Sequence, residues 1–262
     1  MPKVIELYRY PVKSFTPERT DALKILDGRV TGDRVLAFRF ANKGNADDLT
    51  WQTKHSFLAL VNTPALGLLE LKFDHVARTL SLRLEDAYAI DGSIDSEKDR
   101  FDICQAVGEF VSSLDVNPLV KQPERLPLML VGDGRRGLFH DTAAGGLTVH
   151  SAESLSAVET RTKLAIDGRR FRTNIVIDDV EAWEEFSWSG RLSIGMYEYK
   201  VVKPVTRCLA IHANPVTGAR DIQLLDTLVR ANGIDVPTFG IRVEPVEYES
   251  KISLGDSVGA SK

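Results

Sequence analysis

The feature that most constrains this chain is a succession of short runs of β-forming residues, closely punctuated by turn residues. Val4 to Tyr10 alternates and stops at Pro11, and Val35 to Phe40 makes a second run behind Gly32-Asp33-Arg34. Leu68 to Asp74 and Thr79 to Leu84 read as the two arms of a hairpin. Arg191 to Val202 folds back on itself at Gly195, and strands around Phe239 to Val246 and Ile252 to Val258 close the chain. Helical spacing is confined to three places. Cys104 to Leu114 puts Val107, Phe110, Val111 and Leu114 on one face, with Cys104 at its start. Ala152 to Thr162 follows Ser151 as N-cap, and Ile222, Leu225, Leu228 and Val229 form an amphipathic helix capped by Gly233. Strands outnumber helices and the spacings are short. The expected fold is therefore mainly β with a few helices (α+β), in closed or sandwiched antiparallel sheets. Val116 to Leu128, with Pro118, Pro123 and Pro127, marks the expected boundary between domains 1–120 and 121–262.

Charge and cysteine usage exclude several functions. A formal net charge of -4 gives no global signal for nucleic acid or an anionic membrane, so any anion site must be a local cluster of Lys and Arg. Two cysteines, Cys104 and Cys208, make no disulfide framework. No stretch is apolar for long enough to span a bilayer, and Met1 to Leu7 has no signal-peptide core. The expectation is a cytoplasmic protein without nucleic-acid or membrane partners.

The chemistry-bearing stretch is Pro204 to Gly218, where Arg207 precedes Cys208 at the end of a strand. A lone cysteine is most often a small buried apolar residue. A thiolate, however, is a soft donor for Zn, Fe–S, Cu(I) and comparable metals, and a neighbouring cation favours its ionised form. Lys13-Ser14 at a strand exit and Arg34 at a strand start are candidate oxyanion ligands. His140-Asp141-Thr142 forms a loop before the strand Leu147 to His150. Arg169, Arg170 and Arg172 lead into a strand through Ile177; alternation would put Arg170 and Arg172 on one side as either a solvated edge or an anion clamp. Gly132-Asp133-Gly134-Arg135-Arg136-Gly137 lacks the Lys-Ser/Thr ending of a P-loop and the spacing of a dinucleotide fingerprint. HExxH, CxxC and nucleophile-elbow motifs are absent, and the five histidines lack metal-site spacing. His212, four residues after Cys208, leaves a Cys-His pair as a minor alternative.

Taken together and in order, these motifs resemble the MOSC family, and most closely its branch with an N-terminal β-barrel partner domain, which includes the mitochondrial amidoxime-reducing component and bacterial relatives. Tyr10-Pro11-Val12-Lys13-Ser14 is similar to the family's opening motif, and Gly32-Asp33-Arg34 to its G-D-R. Asp141-Thr142, Phe171-Arg172-Thr173-Asn174-Ile175-Val176, Arg207-Cys208, Phe239-Gly240 and Ile252 to Val258 follow in family order. The resemblance implies an antiparallel β-barrel MOSC domain after an N-terminal MOSC-associated, β-barrel-like domain. It also implies molybdenum-molybdopterin as cofactor, with Cys208 as metal ligand and catalytic residue. Lys13, Ser14, Arg34, Asp141, Thr142, Arg172, Thr173, Asn174 and Arg207 would hold the cofactor, whose phosphate needs converging cations and donors.

The implied activity is reduction of a small N-hydroxylated or N-oxide substrate. The chain has no iron–sulfur cysteine set and no flavin fingerprint, so a separate electron-transfer protein or reductase would supply electrons. The alternative is a molybdenum-cofactor carrier or sulfur-handling protein without turnover of its own. Two positions depart from the family pattern: Thr173 replaces a common proline, and Asn214 replaces a common Asp, so it cannot act as a carboxylate.

Overall fold

The computed structural model describes residues 1–84 and 88–260. Its strands, in chain order, begin with β1 (Lys3–Arg9), β2 (Glu18–Arg19), β3 (Ala22–Leu26), β4 (Arg29–Val30), β5 (Ala37–Arg39), β6 (Glu70–Asp74), β7 (Thr79–Leu84) and β8 (Tyr88–Ser93). They continue with β9 (Met129–Val131), β10 (Leu147–Ser151), β11 (Ile175–Asp178), β12 (Arg191–Ile194), β13 (Tyr197–Thr206), β14 (Thr238–Pro245), β15 (Glu249–Ser253) and β16 (Val258–Ala260). Three α-helices, α1 (Glu97–Ser112), α2 (Ala152–Thr162) and α3 (Leu224–Asn232), complete the regular structure of the described residues. The protein is thus mainly β with a few helices. Among the described residues no helix is long and apolar enough to cross a membrane.

The central element is an eight-stranded sheet of order β16-β12-β13-β14-β10-β11-β1-β2, curled into a half-barrel. Its pairs are antiparallel except β10–β11, and α2 supplies the crossover that a parallel pair requires. Of the smaller sheets, β15-β3-β4 shares an apolar cluster with it, while β5-β9 and β6-β7-β8 share another with α1. Local chemistry sets several of these elements. Asp27 and Gly28, both at positive φ, join β3 to β4 in the backbone twist that suits a two-residue hairpin. Ser151 accepts a hydrogen bond from the Ser154 N–H and so caps α2, while Gly233 ends α3 in the left-handed region.

Apolar packing falls into two main clusters. One joins Val12 to Leu130 with Ala213; the other joins residues 4–30 to residues 147–258. Both clusters draw residues from either side of residue 120, and strands pair across it, as β1 with β11, β3 with β15 and β5 with β9.

Three local expectations change. The helix expected from Cys104 begins at Glu97, capped by Ser96, so Cys104 lies mid-helix and buried rather than at a helix start. Its charged first turn conceals the helix because Glu97 and Asp99 sit where they favour the helix dipole. The run Val35 to Phe40 shortens to β5, because the backbone before it is taken up by contacts to Pro11. Residues Gly168–Phe171 form a 3-10 turn, not a strand, and Arg172 ends it at a φ of 51°. Arg169, Arg170 and Arg172 therefore diverge: Arg169 pairs with Asp167, Arg170 with Asp221, and Arg172 donates to the Phe15 carbonyl.

Candidate functional site

A cleft of about 380 Å³ brings together Cys208 and eight of the nine expected cofactor residues: Lys13, Ser14, Arg34, Asp141, Thr142, Arg172, Asn174 and Arg207. Its floor is a cross-strand row. Lys203 on β13 stands opposite Arg242 on β14, which stands opposite Thr148 on β10, and the Asn174 side-chain oxygen accepts from the Thr148 hydroxyl. Cross-strand neighbours lie within side-chain reach, so the sheet itself sets this row. The loops after β1 and before β5, β10 and β11 close over it.

Each loop is pinned from beneath. The Lys13 N–H donates to the Leu36 carbonyl at 2.9 Å, and its buried ammonium donates to the Phe139 carbonyl at 2.9 Å and to Asp141. The Asp33 carboxylate, fully buried, accepts the Tyr10 N–H at 2.7 Å and pairs with Arg34. Arg34 in turn donates to the Arg172 carbonyl at 3.0 Å. The Tyr10 ring packs against both guanidinium groups, at 4.5 Å from Arg34 and 4.3 Å from Arg172. Ser14, Arg34 and Arg172 all hold positive φ, an uncommon state for non-glycine residues that clusters at ligand sites.

The cleft is strongly cationic although the chain is net acidic. Lys13, Arg34, Lys54, Arg170, Arg172, Lys203, Arg207 and Arg242 line it, against the single lining carboxylate of Asp141. Burial lowers the Lys13 pKa, and Arg34 and Arg172 push the same way against Asp141. Burial, with Arg34 adding to it, lowers the Arg172 pKa to about 10. One Arg172 nitrogen, Nη2, is buried without a partner among the described residues, a donor that a bound anion would satisfy.

Cys208 follows β13 and leads into a 3-10 turn, Leu209–His212. It is half-buried, whereas burial drives the Cys104 thiol up to about 12. Arg207 binds backbone rather than open space. Its Nε and Nη2 donate to the Phe239 carbonyl at 2.9 and 2.6 Å, and its Nη1 to the Phe171 carbonyl at 2.7 Å. This fork ties the Cys208 turn to β14 and to the turn that carries Arg172. The Cys-His alternative loses its geometric basis. His212 lies on a 3-10 turn, its Nε2 accepts the Leu225 N–H, and no hydrogen bond joins it to Cys208 among the described residues.

Thr173 stands apart from the cleft: its hydroxyl contacts His150 Nδ1 at 2.6 Å, on the wall of a separate cavity. Asn214 does not act as an acid; its Oδ1 accepts the Val216 and Thr217 N–H groups and its Nδ2 donates to Asp221. Lys54, Thr148, Lys203, Thr206 and Arg242 are cleft residues that motif reading passed over. Strand alternation flags the last four only once the sheet register is known.

No group of three or more His, Cys, Asp or Glu that could hold a metal occurs among the described residues. A metal at Cys208 would take its other ligands from a cofactor. The donor set fits molybdenum-molybdopterin: one soft sulfur for the metal, several cations and the unpartnered Arg172 nitrogen for a phosphate.

Residues 137–259 match the MOSC domain model. Molybdenum cofactor sulfurase of Caenorhabditis elegans is 28% identical over 95% of this chain and 34% of its own length. That of Drosophila erecta is 32% identical over 95% of this chain and 32% of its own length. Mitochondrial amidoxime reducing component 2 of Homo sapiens is 30% identical over 57% of this chain and 42% of its own. The chain therefore spans about a third of the sulfurases' length and under half of the amidoxime reducing component's. Among solved structures, YUAD of Bacillus subtilis is 11% identical with a TM-score of 0.44, covering 98% of this chain and 94% of that one. Residues 137–259 are therefore a MOSC domain, and homologues of the chain include molybdenum cofactor sulfurase and mitochondrial amidoxime reducing component 2.

Proposed function

We propose that this protein is a molybdenum-cofactor-dependent oxidoreductase that removes oxygen from small N-hydroxylated or N-oxide compounds, with Cys208 as the protein ligand of the metal. The observation that carries the reading is the joining, in one cleft, of a half-buried thiol and convergent cations with an unpartnered Arg172 nitrogen. Molybdenum-molybdopterin, when bound, supplies the two-electron redox chemistry. Lys13, Arg34 and Arg172 hold its phosphate, with the Ser14 and Thr142 hydroxyls as further donors and Asn174 fixing the Thr148 side of the floor. Arg207 keeps the Cys208 turn in place through the Phe171 and Phe239 carbonyls. Beside Cys208, Ala210, Ile211, Leu60 and Val61 give the cleft an apolar wall against which a substrate excludes water. The overall change takes up two electrons and two protons, releases the oxygen as water, and draws its electrons from a separate electron-transfer protein.

A second reading has its own support. The sulfurase relatives align over 95% of this chain, against 57% for the amidoxime reducing component. In that reading Cys208 holds the cofactor, or sulfur, in transit and the protein turns nothing over itself.

The test is elemental analysis of the protein and of Cys208→Ser, both produced in a host that makes molybdopterin, followed by an amidoxime assay with a reduced viologen dye as donor. Stoichiometric molybdenum that is lost in the variant, with amidoxime turnover, supports the oxidoreductase. Molybdenum that dissociates on gel filtration, without turnover, supports the carrier. Equal metal in both proteins overturns the role of Cys208.

A further inference from the structure

A second cavity, of about 360 Å³, lies behind the wall that Tyr10 and Thr173 form. It opens between β1, β11, the first turn of α2 and the 3-10 turn at Gly168, where a register shift between Val4 and Glu6 bulges β1 at Ile5. Ile5, Tyr8, Leu155 and Val176 give it apolar sides.

Its polar feature is His150, which is 1% exposed. The Nδ1 atom lies 2.6 Å from the Thr173 hydroxyl, and Nε2 has no partner among the described residues. When the Thr173 hydroxyl donates to Nδ1, its own proton is partnered. That leaves the imidazole proton on Nε2. Burial, reinforced by Arg207, depresses the His150 pKa to about 3 and keeps the ring neutral. A buried N–H without an acceptor is costly to leave unmade. It faces Gly168, where a Cβ would stand 3.9 Å from Nε2 and 3.2 Å from a Leu155 methyl. The absent side chain leaves the approach open.

Charge at the rim decides which acceptor fits. Asp167 and Arg169 neutralise each other in an ion pair, and the Tyr8 hydroxyl donates to Glu6 at 2.9 Å. Glu6 also pairs with Arg19 at 3.3 Å, so among the described residues the rim offers an anion no unpaired cation.

We propose that this cavity is a second binding site, for a small neutral aromatic or heteroaromatic compound whose carbonyl or ring nitrogen accepts the hydrogen bond of His150 Nε2. The site stands on its own geometry and does not depend on the cofactor reading.

Benzamide, nicotinamide and the anionic control benzoate are titrated into the full chain, with NMR of the His150 ring nitrogens and the Ile5 methyl group as readout. The expected result is a neutral, Nε2-protonated His150 and saturable shifts of both signals with the two amides. Benzoate should bind at least about tenfold more weakly, a factor worth roughly 1.4 kcal/mol. Two variants fill the space from different sides: Gly168→Val beside Nε2, and Ile5→Trp at the exposed mouth, which leaves the core untouched. Loss of the His150 ring shifts in Ile5→Trp, with its remaining spectrum native, supports the site even where Gly168→Val does not fold. No saturable shift with either amide, shifts that survive both substitutions, equal affinity for benzoate, or an Nδ1-protonated ring would each overturn it.

Discussion

Arg207 offers the sharpest test of how the cleft is held. Its guanidinium makes three hydrogen bonds to two carbonyls, those of Phe171 and Phe239, and burial lowers its pKa to about 10. Each such bond contributes roughly 0.5–1.5 kcal/mol net, and more with a charged donor. Arg207→Met deletes all three but keeps much of the side-chain volume, so the expected destabilisation is about 2–4 kcal/mol. Arg207→Lys keeps the charge but lacks the planar fork, and should lose about half of that. Urea unfolding at pH 7 reads both changes. A second readout separates positioning from simple stability: the rate at which Cys208 reacts with an aromatic disulfide in native protein. If Arg207 anchors the turn, Arg207→Met raises that rate and Arg207→Lys raises it less. An Arg207→Met variant within about 0.5 kcal/mol of the parent, with unchanged thiol reactivity, would refute the anchoring argument.

Other consequences follow from the same geometry. His140 and His150 are both held near a pKa of about 3 by burial, so they stay neutral in the folded protein where the unfolded chain protonates them. Their contribution is complete above the unfolded value of about 6.5 and is lost as pH falls, with a slope of up to about 2.7 kcal/mol per pH unit for the pair. Replacing His150 by Gln should remove about half of that slope between pH 6 and pH 4.5, as denaturant titrations at several pH values will measure. In native protein at pH 8 an aromatic disulfide should modify Cys208 alone, because Cys104 is buried with its thiol near 12; Cys208→Ser should then show no fast thiol until it is unfolded. Gly132 sits at a φ of 111°, with a Cβ position 2.2 Å from the Val35 carbonyl oxygen. Gly132→Ala should therefore cost at least about 2 kcal/mol in thermal or urea unfolding, from strain and overpacking together.

The residues differ in how far their roles could be read in advance. Ser151 and Gly233 act locally: a cap needs only its own backbone and the next turn, so α2 and the end of α3 were legible from short windows. Cys208, Lys13, Arg34 and Arg172 lie in ordered motifs that marked them as candidates, and the cleft brings them together. Asp33 was visible in its Gly-Asp-Arg motif, but nothing local marks it as the buried anion that holds Tyr10 and Arg34. The arginine run from 169 to 172 misled for a related reason. Alternating faces presuppose extended backbone, and here the Asp167 side chain caps a 3-10 turn instead. Thr173 was placed with the cofactor residues by its motif, yet the left-handed backbone at Arg172 sends it to the opposite side, against His150.

By itself the sequence determined the class of fold, the order of many of the strands and the candidate soft donor, Cys208. These depend on periodicity, turn chemistry and residue type, all of which are local. Only the tertiary structure decided that Lys203, Arg242 and Thr148 form one row, that Arg207 clamps backbone, and that His150 Nε2 is left without a partner among the described residues. Those facts depend on strand register and on contacts between residues far apart in the chain, such as Asn174 with the Tyr8 carbonyl 166 positions away. A one-residue slip of register would turn every side chain of a strand to the other face, and no local pattern encodes which partner a strand will meet.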